Sequence, residues 1–131
     1  MSQENVDLVH RLAAALNARE VPEFIAPEYR LENVNTAVTN KTYCGHDGWR
    51  EWMGDLFGAF AEGAQLQVDE IVAEGDDYVV VTTSIVGRGA VSDAPLRLTW
   101  VSAVWFSDGE MIRSAGFLSK REALEAVGLS E

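Results

Sequence analysis

The sequence predicts an α+β fold, a curved antiparallel β-sheet with helices packed on its concave face. Three observations predict it. Helical periodicity of apolar residues occupies about 3–18 and 46–61. Four strand-like segments then follow one another between residues 66 and 118, and a capped helix closes the chain. That order folds as a sheet meander with helices laid across one side.

The first helix buries one face, since Val6, Val9, Leu12, Ala13 and Leu16 recur at helical spacing and Ser2 stands where a cap belongs. Pro22 and Pro27 bracket a short helical turn around Phe24, and residues 28–34 read as a strand. The polar stretch 35–44 is expected to be a loop long enough to act as a lid. In the second helix Trp49, Trp52, Met53, Leu56 and Phe60 share a face, while Gly54 and Gly58 lie opposite. Strands are expected at 66–74, 77–89, 95–107 and 110–118, with Asp76-Asp77 and Asp93-Ala94-Pro95 at the first two turns. Asp108-Gly109 supplies the third, because a two-residue hairpin needs positive φ. Ser119-Lys120-Arg121-Glu122 is a capping box, Leu124 and Val127 face inward, and Gly128 ends the last helix.

A chain of 131 residues with 47% apolar residues is expected to be one domain, 1–131, with a core that needs no staples. Cys44, the single cysteine, excludes an internal disulfide. A formal charge of −11 argues against nucleic acid and anionic membranes as partners. No apolar run is long enough to span a membrane, and MSQENVDLVH lacks the basic start and apolar stretch of a secretory signal. The expected location is therefore cytoplasmic, which leaves the sequon at Asn40 idle.

MSQENVDLV, CGHDGWREW, VWFSDGEMIR and LSKREALEAVGLSE, in this order and spacing, resemble the nuclear transport factor 2-like superfamily and within it the SnoaL-like proteins. The resemblance spans nearly the whole chain. It implies a cone-shaped fold related to the cystatin-like folds, usually dimeric, with an apolar pocket between sheet and helices. Members include polyketide cyclases, ketosteroid isomerases, epoxide hydrolases, dehydratases and non-enzymatic binding modules, so the fold does not name the function.

Cys44, His46 and Asp47 invite a reading as a thiol or metal centre. Gly45 and its successors instead match the turn into the long helix, where Asp47 suits the positive end of the helix dipole. Zinc would want four ligands, and the chain offers one Cys and two His. Neither metal nor cofactor is expected.

Alternation puts Leu96, Leu98, Trp100, Ser102, Val104 and Phe106 on the concave side. The resemblance places Tyr78, Val80, Thr82, Ser84 and Val86 inward on the preceding strand, and Ile112, Ser114, Gly116 and Leu118 on the last. The isomerases' tyrosine, base and protonated carboxyl fall on Leu12, Asn33 and Ser102. The epoxide hydrolases' arginine and two aspartates fall on Ser84, Val86 and Gly116, their tyrosine on Leu31, and their asparagine is kept as Asn33. Asn33 cannot take a proton as a carboxylate does. The resemblance thus implies a pocket stripped of acid–base groups.

The expected lining is Asn33 as orienting group, Tyr43 at the lid, Trp49, Met53 and Trp100 as apolar walls, and Thr82, Ser84, Ser102, Ser114 and Gly116 on the sheet. Each hydroxyl could equally be satisfied by backbone, and the tryptophans could be plain core. His10, Tyr29, Glu32 and Asp69 are further ionisable candidates without a geometric case. The expected partner is a small apolar metabolite. It is either turned over by isomerase, cyclase or hydrolase chemistry or only bound, as by a non-catalytic interaction module. The other face, with Val79, Val81, Thr83, Ile85, Val101, Ala103 and Trp105, is expected to present an apolar patch for a homodimer.

Overall fold

A computed structural model describes residues 2–32 and 41–129. The elements run α1 (Ser2–Asn17), β1 (Ile25–Glu32), β2 (Thr42–Cys44), α2 (Gly45–Phe57), β3 (Gln65–Glu74), β4 (Tyr78–Arg88), β5 (Pro95–Ser107), β6 (Glu110–Phe117) and α3 (Lys120–Ala126). The strands form one curved sheet in the order β2-β1-β6-β5-β4-β3, parallel between β1 and β6 and antiparallel elsewhere. Register shifts in the β3–β4 and β5–β6 ladders bend it; an extra residue on one strand of a pair sharpens the local twist.

The expected elements form, with three differences around residues 22–44. Pro22 and Phe24 belong to a turn rather than a helical turn, and β1 starts at Ile25 with Pro27 inside it. Pro27 is tolerated because the β1–β6 register shift leaves residues between Ile25 and Arg30 without register partners on β6. Residues 42–44, expected as part of a loop, pair with β1 as β2. The rest of the lid expected over 35–44 falls mostly on residues 35–40, outside the described ones.

Two asparagines seat α1 along the edge strand β3. At one end the Asn5 amide donates to the carbonyl of Asp76 (2.9 Å) in the β3–β4 turn. At the other, Asn17 Nδ2 donates to the Leu66 carbonyl (2.9 Å) while its Oδ1 accepts from the Leu66 N–H (2.7 Å). The Asn17 side chain thus pairs with β3 as a further strand would. This satisfies edge groups that would otherwise be costly to cover with an apolar helix.

The start of α2 is fixed by two glycines. Gly45 has φ +68, and a Cβ on Gly48 would stand 2.8 Å from the Tyr43 carbonyl carbon, so only glycine lets the helix rest on β2. His46 Nε2 lies 2.9 Å from the Ile25 carbonyl, Asp47 pairs with Arg50, and Cys44 is exposed. These contacts agree with a helix entrance. Among the described residues no cluster of His, Cys, Asp and Glu could hold a metal, and no helix is long and apolar enough to cross a membrane.

The main core lies between the concave side of the sheet and the two long helices; α3 covers part of the other side. Val80, Val101 and Ala103 pack beneath Ala123 and Leu124 of α3, and Lys120 pairs with Glu70 on β3 (2.8 Å). The patch expected for a dimer does not exist in that form. Val79, Val81 and Ile85 are 0%, 3% and 0% exposed inside the main core, and only Val101, Ala103 and Trp105 of that set lie on the α3 side.

Tyr43 is 2% exposed, and its hydroxyl donates to Asp55 on α2 (2.7 Å), which also pairs with Lys41 (3.0 Å). The Tyr43 hydroxyl and then Lys41 hold the Asp55 carboxyl below its ordinary value, against a smaller opposing effect of burial. A depressed folded-state value contributes stability above the unfolded-state value and loses it as pH falls through the folded one. Asp55→Asn should therefore destabilise the protein near neutral pH, with the gap to wild type closing below about pH 4. Denaturant unfolding across that range measures it, and a gap independent of pH would contradict the assignment.

Candidate functional site

The main core encloses a cavity of about 50 Å³, room for a few water-sized groups. α1 contributes Val9, Leu12 and Ala13, and α2 contributes Trp49 and Trp52. From the sheet come Tyr29 and Leu31 of β1, Leu66 and Val68 of β3, Val81 and Thr83 of β4, Trp100, Ser102 and Val104 of β5, and Ser114 to Gly116 of β6. Leu12, Ala13, Val68, Trp100 and Ser102 are half-buried and mark the mouth; Tyr29, Trp49, Val81 and Val104 are buried and form the floor.

The β4–β5 register decides which side chains enter. Val81 stands opposite Ser102 and Thr83 opposite Trp100, so odd residues of β4 share a face with even residues of β5. The expectation for β5 is met, and that for β4 is displaced by one residue. Thr82 and Ser84 consequently point to the other side. The Thr82 hydroxyl donates to the Glu70 carbonyl (3.4 Å). Ser84 lies fully buried beneath a polar cluster, bonded to the Asp69 carboxylate, to Thr99 Oγ1 (2.9 Å) and to Arg97 Nη2 (3.1 Å). The Ser84 hydrogen bond is the main cause that keeps Asp69 below the usual carboxylate range; Gln67 and Arg97 add to it and burial opposes it.

Of the other expected site residues, Trp49, Trp100, Ser102, Ser114 and Gly116 come together at the cavity. Met53 is buried in the core away from it, and Tyr43 is spent on Asp55 rather than closing over a ligand. Asn33 lies outside the described residues. On β6, Met111 rather than Ile112 enters the core because the register shifts there, and Leu118 is exposed. His10 is exposed, and Glu32 is held by Arg113 (2.7 Å).

Sequence reasoning gave Tyr29 no geometric case, yet the strand alternation of Tyr29 and Leu31 against exposed Glu28 and Arg30 carries the signal. Tyr29 and Trp49 meet edge to face, with ring centroids 5.9 Å apart. Both side chains are sealed; Trp49 Nε1 has no hydrogen-bond partner among the described residues, and the Tyr29 hydroxyl, beside the neighbouring Ser114 hydroxyl, has no acceptor for its proton there. Burial pushes the Tyr29 phenol well above its ordinary value, and the neighbouring Ser114 hydroxyl offsets this only in part. Tyr29 is therefore a neutral donor. No described residue that lines the cavity is an Asp, Glu, His, Lys, Arg or Cys.

A SnoaL-like domain family model matches residues 8–114. The chain belongs to the SnoaL-like family. Solved structures agree on the fold. TerC co-crystallized with polyporic acid superposes with a TM-score of 0.71 at 17% identity, covering 93% of this chain and 96% of that one. An NTF2-like protein of unknown function from Burkholderia pseudomallei gives 0.71 at 21% identity, over 98% and 99%. A candidate SnoaL-like polyketide cyclase from Jannaschia gives 0.65 at 21%, over 96% and 90%. No curated protein sequence matches the chain significantly.

An unpartnered buried hydroxyl is destabilising in the empty protein. Tyr29→Phe should therefore raise stability by about 1 kcal/mol, a rise of a few degrees in Tm. A fall of that size in thermal unfolding would mean that the hydroxyl has a partner.

Proposed function

We propose that this SnoaL-like protein binds a small, mostly apolar metabolite in the cavity between α1, α2 and the sheet. The observation that carries this reading is an apolar enclosure with a few neutral hydrogen-bonding groups and no Asp, Glu, His, Lys, Arg or Cys among its described walls. Pockets of that kind bind by shape and orient by a small number of polar contacts. A cavity of about 50 Å³ takes only a few heavy atoms, so a larger ligand extends through the mouth past Trp100 and Ser102.

The same lining speaks against acid–base turnover. Opening an epoxide needs a base for the water and an acid for the leaving oxygen, and steroid isomerisation needs a base beside the reacting carbon. Ser102, Gly116 and Leu12 supply none, and Ser84 faces the other side of the sheet. Each such group contributes typically 10²–10⁴-fold in rate. A neighbour co-crystallized with polyporic acid and a candidate polyketide cyclase on the same fold support a small organic ligand.

A metabolite screen by thermal shift should find ligands that raise Tm, because a ligand that binds only the folded state stabilises it. Gly116→Leu, which fills the cavity opposite Ser102, should abolish the shift while the folded circular dichroism spectrum persists. Retained binding would place the site elsewhere. Standard epoxide and 5-ene steroid substrates should show no appreciable turnover, and rates of about one per second would contradict the reading.

A further inference from the structure

The cavity floor carries a chemical preference that the binding reading leaves open. Trp49 Nε1–H can only donate a hydrogen bond, and the Tyr29 hydroxyl, kept neutral by its burial, has its proton available. Both side chains wall the same cavity, and neither donor has an acceptor for its proton among the described residues. Buried polar groups in folded proteins are almost always paired, so two orphans side by side are an exception that asks for a reason. Their rings meet edge to face with centroids 5.9 Å apart, so the two donor-bearing side chains adjoin on the cavity floor.

We propose that Tyr29 and Trp49 are the recognition pair of this cavity, and that it selects a neutral ligand by a carbonyl oxygen that accepts from both. The inference rests on the binding reading above and specifies the ligand class within it. A carbonyl oxygen has two in-plane lone pairs and brings no donor of its own. An aromatic nitrogen offers one lone pair and would leave one donor orphaned. A carboxylate or phenolate would enter an enclosure with no Lys, Arg or His on its described walls, and an unpaired buried anion is far more costly than a neutral group. The formal charge of −11 opposes anions further. Thr83 and Ser102, each a donor and acceptor, remain for secondary polar atoms of the ligand.

The test compares cyclopentanone with methylenecyclopentane, which has nearly the same shape and no acceptor. Affinities are read by NMR titration of wild type and Tyr29→Phe, with the Trp49 indole N–H, assigned by Trp49→Phe, as a local reporter. Wild type should bind the ketone about five- to tenfold more tightly than the hydrocarbon, the worth of one or two well-made hydrogen bonds. The Trp49 indole proton should move downfield with the ketone alone. In Tyr29→Phe the preference should shrink to about twofold while hydrocarbon affinity is kept or improved. Equal affinities in wild type, or a preference untouched by Tyr29→Phe, would overturn the recognition pair and leave the binding cavity standing. Failure of both probes to perturb the Trp49 and Val81 signals would overturn the cavity reading, and the recognition pair with it.

Discussion

The uninterrupted ladder between β4 and β5, from Tyr78 opposite Trp105 to Arg88 opposite Pro95, is the constraint on which the rest of the molecule depends. Because side chains alternate, that register commits Val79, Val81, Thr83 and Ile85 to the same side as Trp100, Ser102 and Val104. It sends Val80, Thr82 and Ser84 to the side that α3 partly covers. The core, the cavity walls and the seat of α3 all follow from it. A slip of one residue would bury Thr82 and Ser84 under the helices and push Val81 and Ile85 out beneath α3.

Around this ladder the helices act as a roof. α1 is held at both ends by asparagine side chains on backbone groups of β3 and its turn, and α2 is held by the close seat of Gly48 on Tyr43 and by the Tyr43–Asp55 bond. None of the side chains that make these polar contacts lines the cavity, so the enclosure stays apolar while its roof is fixed. Tyr29 and Trp49 are the exception. They retain buried donors without an acceptor among the described residues, a cost of about 1–3 kcal/mol for each such group in the empty protein. In the proposed recognition pair, a bound carbonyl oxygen removes that cost.

The architecture was largely legible in the sequence because its signals are redundant: helical periodicity in α1 and α2, three turn signals between long strands, and a capping box at Ser119 that forms with Glu122 as expected. The face of β4 was not legible. Val79, Val80 and Val81 are all buried, since the main core covers one side and α3 the other, and a strand buried on both sides loses its alternation. Resemblance then supplied the phase and placed it one residue off. β2 was missed because a three-residue strand held by pairing to β1 carries no pattern of its own. The alternation of β5 pointed to the cavity side for Trp100 and Ser102, the face of α2 did so for Trp49, and Ser114 and Gly116 on β6 were placed there by resemblance alone. Tyr29 was seen as an ionisable residue without a place, because its role arises from burial without a partner, which only the fold reveals.

The claim that the β4–β5 register defines the cavity is tested most directly by methyl nuclear Overhauser contacts of the two adjacent valines, Val80 and Val81. The account predicts that the Val80 methyls contact Ala123 and Leu124 of α3, while the Val81 methyls contact the aromatic rings around the cavity and none of α3. Contacts from Val81 to Ala123 or Leu124 would contradict it.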